Sequence, residues 1–434
     1  MRPVLNLLTV VTILCSAGAV YSSVGAPVTA SAPSVVAGGS LGAGATALLG
    51  PSDPSGLSVE TPALTSGVTP ATSRSASASG AVASDVTEAS ASMSIGLWAA
   101  DWGGAASQRS AAAWQAAAEN DSIMVGVPGT YAKWIPQLHA WNPNLKVLAY
   151  NLGPYLQKGS AAFNTVLQID PSWFARDASG NLINLPSFPD NYLMDPGNAG
   201  YRAWHAQQLA AVVVQDGFDG AMDDSMGNDV LGHYASAPPV DPTTGQVYTA
   251  TAWMTAEVAM LDTDKAALDG KYLAFNGLVS GPQYSLISSI LASSTADAGV
   301  AELFLRQPNA PVSEFPNLRS VEDSLSMMTN MTARGKTFLG WTKLWPTATP
   351  AQLSQWEQFT LAVDLLGESS STYIDFMPSR TADNTCSPYI GTVPALGAPL
   401  GPYVQSGDTF SRQFQDGSVS LTLNSNNNTW AVSV

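Results

Sequence analysis

The chain has 434 residues, of which 33 are acidic and 17 basic, giving a formal net charge of −16. Such a surplus repels a phosphate backbone, and no Lys/Arg cluster interleaved with aromatic residues occurs, so nucleic acid is excluded as a partner. Only 12% of residues are charged, which predicts a surface rich in Ser, Thr, Asn and Ala.

Residues 1–26 read as an export signal. Arg2 precedes an apolar run from Val4 to Leu14, and small residues follow at Ala17, Gly18 and Ala19. The expected destination is outside the cell, in the medium or against the wall, with membrane attachment only if the signal stays uncleaved. Leu14 before Cys15 is not the small residue that lipid attachment requires. Cleavage removes Cys15 and leaves Cys386 alone, so no internal disulfide is expected and stability must come from a packed core. Residues 27–92 are dominated by Ala, Ser, Gly, Thr, Val and Pro and contain no aromatic side chain. They cannot bury enough apolar surface to offset the entropy of ordering, which predicts a disordered linker.

From Ser94 onward strands and helices alternate. The predicted strands are residues 94–98, 122–127, 146–150, 218–224, 272–275, 300–305, 337–341 and 372–376. Helices are expected at 107–120 with Ser107 as cap, around Trp134 and Leu138, at 201–212, 249–268, 321–332 and 353–366. The stretch 152–196 is too rich in Pro, Gly, Asn and Asp to predict a regular element. Eight strand and helix units favour closure into a (β/α)8 TIM barrel over residues 93–380, and no Gly-rich phosphate loop argues for an open nucleotide-binding sheet. Residues 381–434 read as a small antiparallel β appendage. Segments 409–414 and 418–423 flank Asp416-Gly417, a hairpin signal.

The run YLMDPGNAGYRAWHAQQLAAVVVQDGFDGAMDDSMG and the late FSRQFQDGSVSLTLN resemble the hypothetical glycosyl hydrolases of the fifteenth provisional family. Proteins of that family pair a DPGNP-YR segment with a GFDG strand ending in two acidic or amide residues. The similarity covers residues 94–434 and departs at Ala199, where the family has Pro. It implies a glycosidase-like barrel and a glycan substrate.

Carboxylates at the carboxyl end of a barrel strand lie where such folds keep their chemistry. Strand alternation is expected to turn Asp219, Ala221 and Asp223 to the barrel axis and Phe218, Gly220 and Met222 to the helices. Asp223 then points into the mouth as nucleophile, while Asp224 lines the pocket or caps the next turn. Glycoside hydrolysis needs a second carboxyl group. Glu302, in the otherwise apolar sixth strand, is the candidate acid and base, and a structural ion pair with Lys343 is its alternative role. Sugar-binding candidates are Trp98, Asp101, Trp102, Tyr150, Asn151, Asp195, Asn276, Trp341, Lys343 and Asp375, a mixture of stacking faces and hydroxyl partners. Asp375 could also replace Glu302.

The three histidines, His139, His205 and His233, show no metal-ligand spacing, and no G-x-S-x-G elbow occurs, so no metal, cofactor or serine nucleophile is signalled. The reading is a monomeric exported glycoside hydrolase acting on a polysaccharide or cell-envelope glycan, probed against a barrel that binds glycans without cleaving them.

Overall fold

A computed structural model describes residues 95–101, 109–232, 234–379, 396–424 and 429–434. Eight parallel strands hydrogen-bond in chain order: β1 (Trp98–Asp101), β2 (Ile123–Gly126), β3 (Lys146–Asn151), β4 (Gly220–Asp223), β5 (Tyr272–Asn276), β6 (Ala298–Ala301), β7 (Thr337–Lys343) and β8 (Thr372–Met377). A parallel bridge between Leu97 and Ile374 brings the first and last strands together, and Ile374 N donates to Gly96 O at 3.0 Å. The ring is thereby nearly closed. All described residues belong to one unit, residues 84–434. The signal segment, the linker, Trp102, Ser107, His233 and Cys386 lie outside the described residues.

Helices α1 (Ala111–Asn120), α2 (Ile135–Trp141), α3 (Ala199–Asp216), α4 (Ala250–Ala267), α5 (Leu318–Ala333) and α6 (Pro350–Gly367) run between the strands. Their starts follow from short polar side chains that accept from otherwise unpaired amides: Ser110 for α1, Asn198 for α3, Thr249 for α4, Asn317 for α5 and Thr349 for α6. Ser110 therefore begins the first helix, three residues after the expected cap. No helix among the described residues is long and apolar enough to cross a membrane.

Strand alternation sorts the core into two layers. Trp98, Ala100, Ile123, Val125, Leu148, Met222, Ala274, Val300, Leu339 and Trp341 fill the lumen. Ala99, Met124, Val147, Ala149, Ala221, Phe275, Phe338 and Ile374 belong to the cluster that also takes the helices' apolar faces. Each large side chain buried in this way contributes about 1.5–3 kcal/mol relative to exposure.

Two expectations need correction. Residues 152–196 are regular: a helix, Ala161–Ile169, accompanies a three-stranded antiparallel sheet of Tyr155–Gln157, Asn184–Leu185 and Phe188–Leu193. Their polar residues serve as caps and turns, with Ser160 starting the helix and Asp177 accepting from Ser179 N and Asn181 N. Phe163 meanwhile packs on Phe174 and Tyr192. The sixth strand ends at Ala301, not at residue 305, because the chain turns there and Leu305 takes a left-handed conformation with φ 67°. Glu302 is thus the first residue beyond the strand.

The appendage is a four-stranded sheet, β9 (Val404–Ser406), β10 (Thr409–Gln413), β11 (Ser418–Asn424) and β12 (Thr429–Ser433), whose central pair is the expected hairpin. Arg412 of β10 anchors it. Its Nη1 donates to the carbonyls of Leu365, Leu366 and Glu368 at 3.0, 3.3 and 2.8 Å, satisfying the open end of α6. Trp430 packs against Phe359 of α6 and against Phe315, with centroids 5.4 and 5.2 Å apart.

Candidate active site

The site is built around the end of β4. Gly217 closes α3 in the left-handed region, with φ 79°, and lets the chain reverse directly into the strand. Met222 then fills the lumen beside Leu148 and Ala274, whereas Ala221 lies in the outer layer. The facing expected from sequence is inverted. Asp223 turns outward to the helices, because the larger apolar Met222 takes the lumen, and Asp224 turns into the mouth.

Asp224 is held from both neighbouring strands. Its amide donates to Asn151 O at 2.9 Å, and Met226 N donates to Asn276 O at 2.7 Å. Its carboxylate accepts from Tyr150 Oη at 2.7 Å, from Asn276 Nδ2 at 2.7 Å and from Ser225 N at 2.8 Å. Ser225 adopts φ 59°, a conformation costing a non-glycine residue about 1 kcal/mol, and strain of this kind clusters at functional sites. Burial, followed by the charge of Glu302, raises the Asp224 carboxyl above the usual carboxylate range, against the three donors. Burial and then Asp224 push the Tyr150 hydroxyl far upward, so it stays a donor.

Asn276 joins the two carboxylates. Its Nδ2 also donates to Glu302 Oε2 at 2.6 Å. The facing oxygens of Asp224 and Glu302 therefore cannot be further apart than the sum of two hydrogen bonds to one nitrogen. On its other side, Glu302 Oε1 accepts from Lys343 Nζ. That ammonium lies over the faces of Trp341 and Trp345, 4.3 and 5.3 Å from their centroids. Glu302 is partly open to solvent, with a side-chain exposure of 36%, whereas Lys343 is buried. The mouth can thus hold two carboxylates close together, one half-buried and fixed by three donors and one at the solvent boundary.

A second cluster lies behind the same strand. Asn151 and Asp223 are register partners on β3 and β4, and Asn151 Nδ2 lies 2.8 Å from Asp223 Oδ1 and 2.9 Å from His205 Nε2. His205, on α3, meets Asp264 of α4 through Nδ1 at 2.9 Å. Burial and then the charge of Asp264 push Asp223 up to about 7, against His205 and Asn151. Burial alone pulls the His205 imidazole down, but Asp264 and Asp223 together outweigh it and hold it at about 9. His205, Asp223 and Asp264 are the one group of three possible metal ligands among the described residues. They suit a metal poorly, since the two ring nitrogens of the single imidazole already face different partners.

The remaining candidates divide. Tyr150, Asn276, Lys343 and Trp341 surround the carboxylate pair. Trp98 is fully buried, donates to Gly340 O at 3.0 Å and meets Trp341 edge-on, so it is packing in the lumen rather than a sugar platform. Asp101 turns outward to Arg109, at 2.9 Å, and to Tyr131 Oη, away from the mouth. Asp195 accepts from Tyr248 Oη at 2.8 Å and from Gly197 N at 2.8 Å, which ties the approach to α3 to the approach to α4. Asp375 is fully buried and accepts from Ala100 N at 3.2 Å. Asp219, at the far end of β4, accepts from Val147 N and pairs with His139. Sequence reasoning missed His205 and Asp264, whose only signal is polarity on helix faces that otherwise turn inward. It also missed Tyr234, which lies near enough to Tyr150 to influence its hydroxyl.

Residues 139–418 match the hypothetical glycosyl hydrolase family 15. The chain belongs to that family. The matched residues include both carboxylates of the mouth, the cluster behind β4 and Arg412. No curated protein matches the chain. Among solved structures, it is similar to an α-galactosidase from Thermus thermophilus at 12% identity, covering 74% of this chain and 65% of that one, with a TM-score of 0.43. A maltogenic α-amylase from Thermotoga neapolitana shares 12% identity over 77% of this chain and 95% of that one, also at 0.43. A cycloisomaltooligosaccharide glucanotransferase from a Paenibacillus species shares 12% over 56% and 38%, at 0.39. The chain spans less than two thirds of the glucanotransferase and of the α-galactosidase.

Proposed function

We propose that this family 15 protein is an exported enzyme that cleaves O-glycosidic bonds of a polysaccharide or cell-envelope glycan with retention, using Asp224 as nucleophile and Glu302 as acid and base. The observation that carries the reading is the single amide of Asn276 shared by both carboxylates. It keeps their facing oxygens within the sum of two hydrogen bonds, which supports the roughly 5–5.5 Å spacing of retaining glycosidases over the wider spacing of inverting ones.

The fixed carboxylate suits attack, because three donors aim it and stabilise its charge as the reacting atoms align. An Asp224 oxygen bonds to the anomeric carbon as the glycosidic C–O bond breaks, and Glu302 gives its proton to the departing oxygen. Glu302 then takes a proton from water, whose oxygen attacks the anomeric carbon and releases Asp224. The charge of Glu302 is, after burial, the main cause that raises the proton affinity of Asp224, and the three donors to Asp224 oppose it. The signal and linker segments of the sequence support work outside the cell, on a substrate reached by a tethered domain.

One observation favours a second reading. The Glu302 to Lys343 contact is formed, which is the arrangement expected of a barrel that binds glycans without cleaving them. Hydrolysis of a broad panel of polysaccharides and aryl glycosides by the purified protein, with Asp224→Asn and Glu302→Gln alongside, separates the two. Cleavage lost in both variants with folding intact supports the enzyme. Glycan retention on an array by a wild type that cleaves nothing supports the binder. The anomeric configuration of the first product, followed by NMR, tests retention.

A further inference from the structure

The cluster behind β4 has no part in the chemistry just described, yet it is tied to Asp224 through adjacent residues. Tyr150 and Asn151 follow one another on β3, and Asp223 and Asp224 follow one another at the end of β4. On the lumen side Tyr150 donates to Asp224, and on the outer side Asn151 meets Asp223, so the same two residue pairs clamp both faces of the wall. Asn151 also receives the Asp224 amide on its carbonyl.

The cluster's charge is unusual for its burial. Asp223 and Asp264 are fully buried and His205 nearly so, and Asp264 acts on the Asp223 carboxyl both by its charge and as a hydrogen-bond partner, each raising its proton affinity. Two buried carboxylates beside one imidazole cannot all stay ionised cheaply. Two hydrogen-bond patterns satisfy the Asn151 contacts. With Nδ2 turned to the cluster, the amide donates to an ionised Asp223 and to an unprotonated Nε2 of His205, and the cluster carries two negative charges. With the amide reversed, Oδ1 accepts from the Nε2–H of an imidazolium and from a protonated Asp223, and the net charge is zero. The two patterns differ by two protons and one side-chain rotation. The carboxylates around His205 hold its proton to about 9.

We propose that Asp223, His205 and Asp264, with the amide of Asn151, are positioning residues for Asp224: from the outer face of the barrel wall they fix the end of β4 and so aim the carboxylate that follows it into the mouth. The inference rests on the reading of Asp224 as the attacking carboxylate. The groups facing His205 are Asp264 from α4, Asp223 from β4, Asn151 from β3 and Tyr201 from its own helix, whose hydroxyl is held protonated by burial and by the same two carboxylates.

The test uses the whole protein and does not begin with activity. The chain has three histidines, so imidazole signals in a histidine-labelled NMR titration are assigned by single substitutions of His139 and His233. His205 is expected to keep both ring protons through neutral pH and to lose one only near 9. Asp264→Asn is expected to lower that midpoint most and Asp223→Asn less, since Asp264 is both the nearer charge and the hydrogen-bond partner. In activity, Asp223→Asn, which keeps a polar partner for Asn151, is expected to retain more of kcat than Asp223→Ala with KM little changed in both, which a loss of packing alone does not do. A wild-type His205 that titrates near 6.5 overturns the proposal without any variant having to fold. So does a kcat unchanged or equally reduced in Asp223→Asn and Asp223→Ala, or a stoichiometric divalent metal whose removal releases His205, which makes the cluster a metal site. If Asp224→Asn retains wild-type hydrolysis, the assignment of the nucleophile fails instead, and the His205 titration remains as an independent result.

Discussion

Asp223 and Asp224 are neighbours in the chain and opposites in surroundings. Asp224 looks into a mouth that solvent reaches through Glu302, and its partners are two hydrogen-bond donors from adjacent strands and one from its own turn. Asp223 looks into a sealed space between strand and helices, and its surroundings include a second carboxylate and an imidazole. Both have raised proton affinity, yet only one can meet a substrate. A perturbed carboxyl group therefore does not mark a catalytic one until its face of the strand is known.

The comparison is broken most directly at Asp224. Asp224→Asn is expected to reduce hydrolysis by about 10³-fold or more with its fold unchanged, and Glu302→Gln by about 10²–10⁴-fold on substrates with poor leaving groups but far less on activated aryl glycosides. Steady-state rates on both substrate types decide the roles. Equal losses from Asp223→Asn and Asp224→Asn, with no shift in pH profile, would erase the distinction between the two faces.

How much of this was legible in the sequence depends on what each residue's position had to specify. The eight strands and their order could be read, because apolar runs bounded by helix caps and glycines recur in chain order, and the hairpin at Asp416-Gly417 announced the appendage. The acidic end of the fourth strand and Glu302 were legible as chemistry-bearing residues. Facing was not. Phe218, Gly220 and Met222 look like an outward apolar row, but which row enters the lumen depends on how Met222 fits among Leu148, Ala274 and Val300, which is a property of the assembled ring. The insertion was misjudged for a related reason: its prolines, glycines and aspartates are turn residues of a small sheet whose aromatic core is visible only once folded.

The sealed face should matter more for stability. Asp264→Ala removes one side of a buried pair and is expected to cost about 3–5 kcal/mol, measured by urea unfolding at pH 7. The pH dependence follows from the sign of the shift. His205 binds its proton more tightly folded than unfolded, so its contribution is complete below about 6.5 and is lost as pH rises through about 9. Wild-type stability is expected to decline across that window, and His205→Gln is expected to flatten the decline.

Arg412 lies outside both clusters and serves as a control. Arg412→Ala leaves carbonyls at the end of α6 without their donor and is expected to cost about 2–3 kcal/mol in unfolding experiments while sparing the rate constants of the remaining folded enzyme. The smallest effect is expected from Tyr150→Phe. Losing one donor to Asp224 should reduce kcat/KM about tenfold and, because that bond lowers the proton affinity of Asp224, move the acid limb to higher pH. An unchanged limb would separate Tyr150 from the charge of Asp224.

The guanidinium of Arg412 also has a meaning for biosynthesis. A ribosome that stops short of residue 412 releases a barrel with all eight strands present but the final helix ending on bare carbonyls. Such a product frays where the ring must be sealed and offers proteases a starting point. The appendage thus works as a completion mark for the barrel, whose last helix is sealed by a residue made some forty positions after it.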